Sequence, residues 1–157
     1  MEANENKVIT YLDSLVPTRN DLVTKMEKLA QLENVPIMDL VGMETLLQLL
    51  RLSQPRRILE IGAAIGYSAI RMAQAIPDVT IVTIEREEHR YQQAKQHIAE
   101  AGLSERIELI FGDALEVQAQ IAQQGPFDLI FVDAAKGQYE RFFTMYEPLL
   151  NDLGVII

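Results

Sequence analysis

Cysteine and tryptophan are absent from the 157 residues, aromatic residues make up only 6%, and 14 Lys and Arg face 23 Asp and Glu. Without cysteine there can be no disulfide and no thiolate metal site, a composition that suits a reducing, cytoplasmic compartment. The net charge of −9 excludes a general electrostatic attraction for nucleic acid or anionic membrane, so any such partner needs a local patch. The first twenty residues carry acids and no long apolar run, so neither a signal peptide nor a membrane-spanning helix is read there. What is plentiful is apolar: 48% of the residues, enough for the core of one ordinary domain and too much for a disordered chain.

The pattern along the chain divides near Gln54-Pro55. Before it, three helices are expected at about 5–15, 20–34 and 38–52, separated by Pro17 and Pro36, with apolar stripes such as Leu22, Met26, Leu29 and Ala30 at helical spacing. After it, short β-branched runs begin at Arg57, Val79, Ile107, Phe127 and Gly154, and these are too short for helices. Helices are expected between them at about 67–75, 87–101, 115–123 and 138–150. Strand and helix alternating with short connections is the signature of a mostly parallel α/β sheet with helices on both faces. Residues 1–157 therefore read as one domain, a helical segment (1–54) leading into an α/β core (55–157). Val155-Ile156-Ile157 ends the sequence with no cap, turn or polar tail, so the chain is expected to be truncated, with later strands missing.

Chemistry concentrates where strands end. In Leu59-Glu60-Ile61-Gly62-Ala63-Ala64-Ile65-Gly66-Tyr67-Ser68, a strand turns into a helix, and glycines let the backbone bend sharply and approach a ligand at the unpaired N–H groups of the helix start. The spacing is not the Gly-x-Gly-x-x-Gly of dinucleotide sites, and Glu60 would repel a pyrophosphate while suiting a cationic ligand such as a sulfonium amino acid. Glu85 closes the second strand, where a carboxylate can accept both hydroxyls of a ribose, and Asp113 closes the third, where it can meet an adenine. Each acid alone could be a helix cap; three at successive strand ends point to a cofactor. His89 and His97 read as surface residues, and the stripe from Tyr139 to Tyr146 reads as core, with its exposed part available for a dimer contact.

Glu60 to Ser68, Glu85, Gly112-Asp113-Ala114 and Phe131-Val132-Asp133-Ala134-Ala135-Lys136 resemble the motifs of the cation-dependent class I O-methyltransferases, the group of catechol and caffeoyl-coenzyme A O-methyltransferases. The resemblance runs from about residue 36 to the end. Val35-Pro36-Ile37-Met38, Gly42-Met43-Glu44 and Asp133-Ala134-Ala135-Lys136-Gly137-Gln138-Tyr139 look most like the bacterial tRNA 5-hydroxyuridine methyltransferases, which make 5-methoxyuridine at the wobble position.

The resemblance implies a Rossmann-like methyltransferase sheet and an S-adenosylmethionine pocket lined by Glu60, Gly62, Ser68, Glu85, Asp113, Ala114 and Asp133, with Met38 over the methionine end. It further implies Asp133 as a ligand of Mg2+ or a similar divalent cation, Lys136 beside the acceptor oxygen as base or electrostatic helper, and a homodimer. Chelation of two neighbouring acceptor oxygens lowers the pKa of the hydroxyl and aligns it with the methyl group, a logic that serves tRNA and small phenolic acceptors alike. The family's Asp-Asn pair after the fifth strand, which completes the metal site, is absent here. The 157 residues are therefore expected to keep parts of the cofactor pocket with little or no activity. The competing readings are an O-methyltransferase of catechol-like phenols, a non-catalytic cofactor-binding domain and, more remotely, a nicotinamide oxidoreductase.

Overall fold

A computed structural model describes residues 2–134 and 136–157, the side chains of 2–6 and of Lys136 excepted. Three helices come first: α1 (Glu2–Leu15), α2 (Asp21–Glu33) and α3 (Leu40–Ser53). The latter two start on side-chain caps, Asn20 accepting from Val23 N–H and Asp39 from Gly42 N–H, which satisfies donors the first turn leaves free. They bury Val23, Met26, Ala30, Met43, Leu46, Leu47 and Leu50. By contrast Val8, Ile9, Tyr11 and Leu15 of α1 are exposed.

The core follows as β1 (Arg57–Ile61), α4 (Tyr67–Ala75), β2 (Thr80–Glu85), α5 (Glu88–Glu100), β3 (Ile107–Phe111), α6 (Gln118–Ala122), β4 (Phe127–Val132), α7 (Tyr139–Tyr146) and β5 (Leu150–Ile156). All strand pairs are parallel, in the order β3-β2-β1-β4-β5. The chain thus moves outward from β1 in one direction, then returns to the other side of β1, leaving a switch point between β1 and β4. In open α/β sheets ligands bind at that point, outside the carboxyl ends of the strands.

Alternation along each strand divides the interior. Ile58, Ile81, Ile107, Leu129 and Phe131 join the helices α2 to α5 in one apolar cluster. Leu59, Ile61, Val82, Ile84, Ile110 and Ile130 join Ile121 of α6 and Phe142 and Tyr146 of α7 in a second. Burying each large aliphatic side chain is worth about 1.5–3 kcal/mol, so both layers contribute to stability.

Several expectations shift in detail. The helix expected at 115–123 shortens to Gln118–Ala122 because Asp113 first forms a turn, its Oδ1 accepting from Leu115 N–H and its carbonyl from Glu116 and Val117. The one expected at 138–150 ends at Tyr146, Pro148 lies in a 3-10 turn, and β5 starts at Leu150 instead of 154. In α7 only Phe142 and Tyr146 are buried, while Tyr139 and Phe143 are 44% and 55% exposed. Phe143 lies about 100° around the helix from Phe142, so the aromatic stripe does not share one face. His97 is not a surface residue: it is 5% exposed and its ring hydrogen-bonds the carbonyl of Ile65. His89 is exposed as expected.

Candidate active site

The switch point is built by backbone contact. The N–H groups of Gly62 and Ala63 both donate to Ile84 O (3.1 and 2.9 Å), and Asp133 N–H donates to Ile61 O (3.0 Å). Gly62 has φ +103°, and a Cβ there would stand 2.3 Å from Asp133 O, so only glycine fits this crossing of two loops. Ala64 follows at φ +46°, a left-handed conformation that a residue with a Cβ adopts at a cost. Glu85 holds it there, its Oε2 accepting from Ala64 N–H at 2.8 Å. Gly66, again with positive φ, starts α4.

Four carboxylates stand at the carboxyl ends of β1 to β4. Glu60 is 0% exposed and accepts hydrogen bonds from the hydroxyls of Ser68 and Thr83. Its pKa is raised to about 7, chiefly by burial, with the two hydroxyls opposing the rise and the negative fields of Asp133 and Glu85 adding to it. Glu85 is 8% exposed, with Oε1 accepting from Arg86 and Glu87 N–H and Oε2 from Ala64; Oε2 can still accept from a further donor. Asp113 is half-buried at the end of β3, its Oδ2 3.5 Å from Arg86. Asp133 lies just past β4 with an exposed side chain, its pKa raised by partial desolvation. Carboxylates whose fields raise the pKa of a buried neighbour, as those of Asp133 and Glu85 do at Glu60, form a locus where a bound cation relieves repulsion.

The other expected residues fall as follows. Ser68, in the first turn of α4, is 5% exposed and tied to Glu60. Ala114 is buried beside Asp113, and its carbonyl accepts from Tyr146 Oη at 2.6 Å. Met38 precedes α3 and packs half-buried against the cluster that α3 shares with α4, on the same side of the sheet as Ser68. Lys136 opens the 3-10 turn Lys136–Gln138, and its side chain lies outside the described atoms. Among the described residues no three His, Cys, Asp or Glu converge as metal ligands.

Three functional groups escaped the sequence reading. Thr83 is one, although a hydroxyl amid Val79-Thr80-Ile81-Val82-Thr83-Ile84, two residues before Glu85, was a visible signal. His97 is another. The third is a charged cluster behind the loop, where Arg71, 6% exposed, donates to Glu44 and to Tyr67 Oη, and Tyr67 donates to Glu27. Only its i, i+4 Tyr67-Arg71 pair was legible in advance.

Known proteins are similar to this chain in sequence and fold. The sequence profile of the family described as O-methyltransferase matches residues 17–157. A catechol O-methyltransferase of Niastella koreensis is 39% identical over 101 residues, covering 62% of this chain and 46% of that protein. Another, of Mycobacterium tuberculosis, is 40% identical over 84 residues, covering 53% of this chain and 38% of that protein. The chain thus spans less than half the length of these curated relatives. Among solved structures, the O-methyltransferase TomG of Streptomyces achromogenes, in complex with SAM, superposes with a TM-score of 0.85 at 34% identity over 96% of this chain and 70% of that one. An O-methyltransferase of Bacillus cereus in complex with SAH gives 0.86 at 28% identity, with the same coverage. With the profile spanning most of its length and the parallel sheet shared, this chain belongs to the O-methyltransferase family.

Proposed function

We propose that this chain carries the cofactor site of an S-adenosylmethionine-dependent O-methyltransferase. The observation that carries the reading is the glycine crossing beside buried acids: a Cβ-free approach at Gly62 beside Asp133, with the Asp133 and Glu85 carboxylates close enough to raise the proton affinity of Glu60. A cationic sulfonium amino acid suits that locus, and when bound it supplies an electrophilic methyl group. Glu60 holds Ser68 and Thr83 in place. Glu85 fixes Ala64 and keeps acceptor capacity for ribose hydroxyls, and Asp113 and Ala114 bound the adenine side. Met38 covers the methionine end, and Lys136 stands on the acceptor side.

A magnesium-like ion, which the family resemblance implies, finds one ligand here, Asp133. For the acceptor, the motif resemblance favours 5-hydroxyuridine at the tRNA wobble position; a second reading, a catechol-like phenol, is favoured by the names of the relatives in Niastella and Mycobacterium. The exposed apolar residues of α1 and Phe143 suit a homodimer contact. The test is calorimetric titration of the chain with S-adenosylhomocysteine (SAH), followed by labelled methyl transfer from S-adenosylmethionine, with and without magnesium, to tRNA bearing 5-hydroxyuridine and to catechol. Absence of SAH binding overturns the cofactor reading. Label in tRNA or in catechol assigns the acceptor.

A further inference from the structure

The glycine loop is backed by α5, and one side chain of that helix reaches it through a hydrogen bond. His97 is buried, and its Nδ1 lies 2.9 Å from the carbonyl oxygen of Ile65, within the turn between Gly62 and Gly66. A carbonyl only accepts, so Nδ1 carries the proton and the ring is in one defined tautomer. One turn earlier on the same helix face, Ala94 meets the loop: a Cβ on Gly66 would lie 3.4 Å from the Cα and Cβ of Ala94. Just before α5, Glu85 binds Ala64 N–H. Three successive loop residues, Ala64, Ile65 and Gly66, are thus held from the β2–α5 segment by a carboxylate, an imidazole and a close contact.

We infer that His97 is a positioning residue for the cofactor: by donating to Ile65 O it fixes the loop between β1 and α4 in its ligand-ready shape before anything binds. The inference rests on the cofactor reading of that loop. The polar atom needed is a donor at the δ position of the side chain, and nothing else about histidine is required. Asparagine carries an N–H2 at that same position, whereas leucine fills a similar space with no donor. Preorganisation of this kind acts on affinity, because the loop otherwise has to be ordered at the moment of binding.

The experiment compares wild type, His97→Leu and His97→Asn. Deuterium exchange of the unliganded chain follows the peptide spanning Gly62 to Ser68, and calorimetry measures the Kd for SAH. His97→Leu is expected to speed exchange in that peptide and to weaken SAH about tenfold, and His97→Asn to restore both to within about threefold of wild type. Equal loss in both variants assigns the effect to ring packing and overturns the inference, as does wild-type exchange in the Leu variant. If wild type fails to bind SAH, the cofactor reading falls, while the exchange measurement still decides whether His97 orders the loop.

Discussion

The two faces of one sheet behave differently at the same height. On the face under α6 and α7, β1 and β2 stay apolar to their ends, with Leu59 and Ile61 beside Val82 and Ile84 in a single buried cluster. On the face under α4 and α5 the aliphatic layer of Ile58, Ile81 and Leu129 gives way one step further along to Glu60 paired with Thr83 across the ladder, and Ser68 descends from α4 to meet them. A period of two in side-chain direction lets the same strands supply an unbroken core on one side and a polar floor on the other. One face carries stability, and the other carries stability and chemistry together.

The strongest way to break that division is at the switch point, where neither face is involved. Gly62→Ala places a methyl 2.3 Å from a backbone carbonyl at φ +103°. Loss of about 4 kcal/mol of unfolding free energy in a urea titration is expected, together with loss of measurable SAH binding. Next, Ile130→Ala on the apolar face empties a fully buried site and should cost about 3–4 kcal/mol, yet leave the Kd for SAH of the folded protein within about twofold. A tenfold weakening in that variant would show that the apolar face also tunes the site.

On the polar face the sharper probe is pH. The Glu60 carboxyl takes up its proton near pH 7 in the folded chain against 4.5 as its ordinary value, chiefly because burial disfavours the charge. The folded state therefore binds more protons than the unfolded one between those two values, and stability falls as pH rises through that window. At about 1.4 kcal/mol per unit, Glu60 accounts for a decline on the order of 3 kcal/mol. Glu60→Gln should flatten that decline in unfolding curves collected from pH 4.5 to 7.5 and weaken SAH binding at pH 7.5. An unchanged pH profile would show that Glu60 stays ionised throughout and that another group sets the slope.

Reading the sequence located the strands to within a few residues, because β-branched runs and glycine turns are local signals, and it named the acids Glu60, Glu85 and Asp113 because each closes a strand, and Asp133 through the family motif alone. It missed what depends on facing. His97 looked like a surface residue since it flanks the apolar stripe of Tyr91, Ala94, Ile98 and Ala101, and nothing in a linear pattern reports that α5 lies against the β1–α4 loop. Arg71 reads as an ordinary helix cation; its burial follows from Glu44 and Glu27, which arrive from α3 and α2. Phe143 was grouped with Phe142 although adjacent helix positions diverge. Long-range pairings of polar side chains carry no periodicity, so they become visible only when the helices are docked.

The smallest expected effect concerns a hydrogen bond by which the apolar face touches the site. Tyr146 is fully buried on α7, its hydroxyl donates to Ala114 O beside Asp113, and its pKa is pushed up to about 12 by burial, with the Asp113 carboxylate adding to the rise. Tyr146→Phe keeps the ring and removes the donor, leaving a buried carbonyl unpaired, which costs about 1–2 kcal/mol. Because Asp113 holds its own turn through Leu115 N–H, the loop should loosen without unfolding, and SAH affinity should fall about two- to threefold. A larger fall, at the same modest cost in stability, would mean that α7 sets the position of the Asp113 turn, and the division between a core face and a chemical face would hold for β1 and β2 but not for β3.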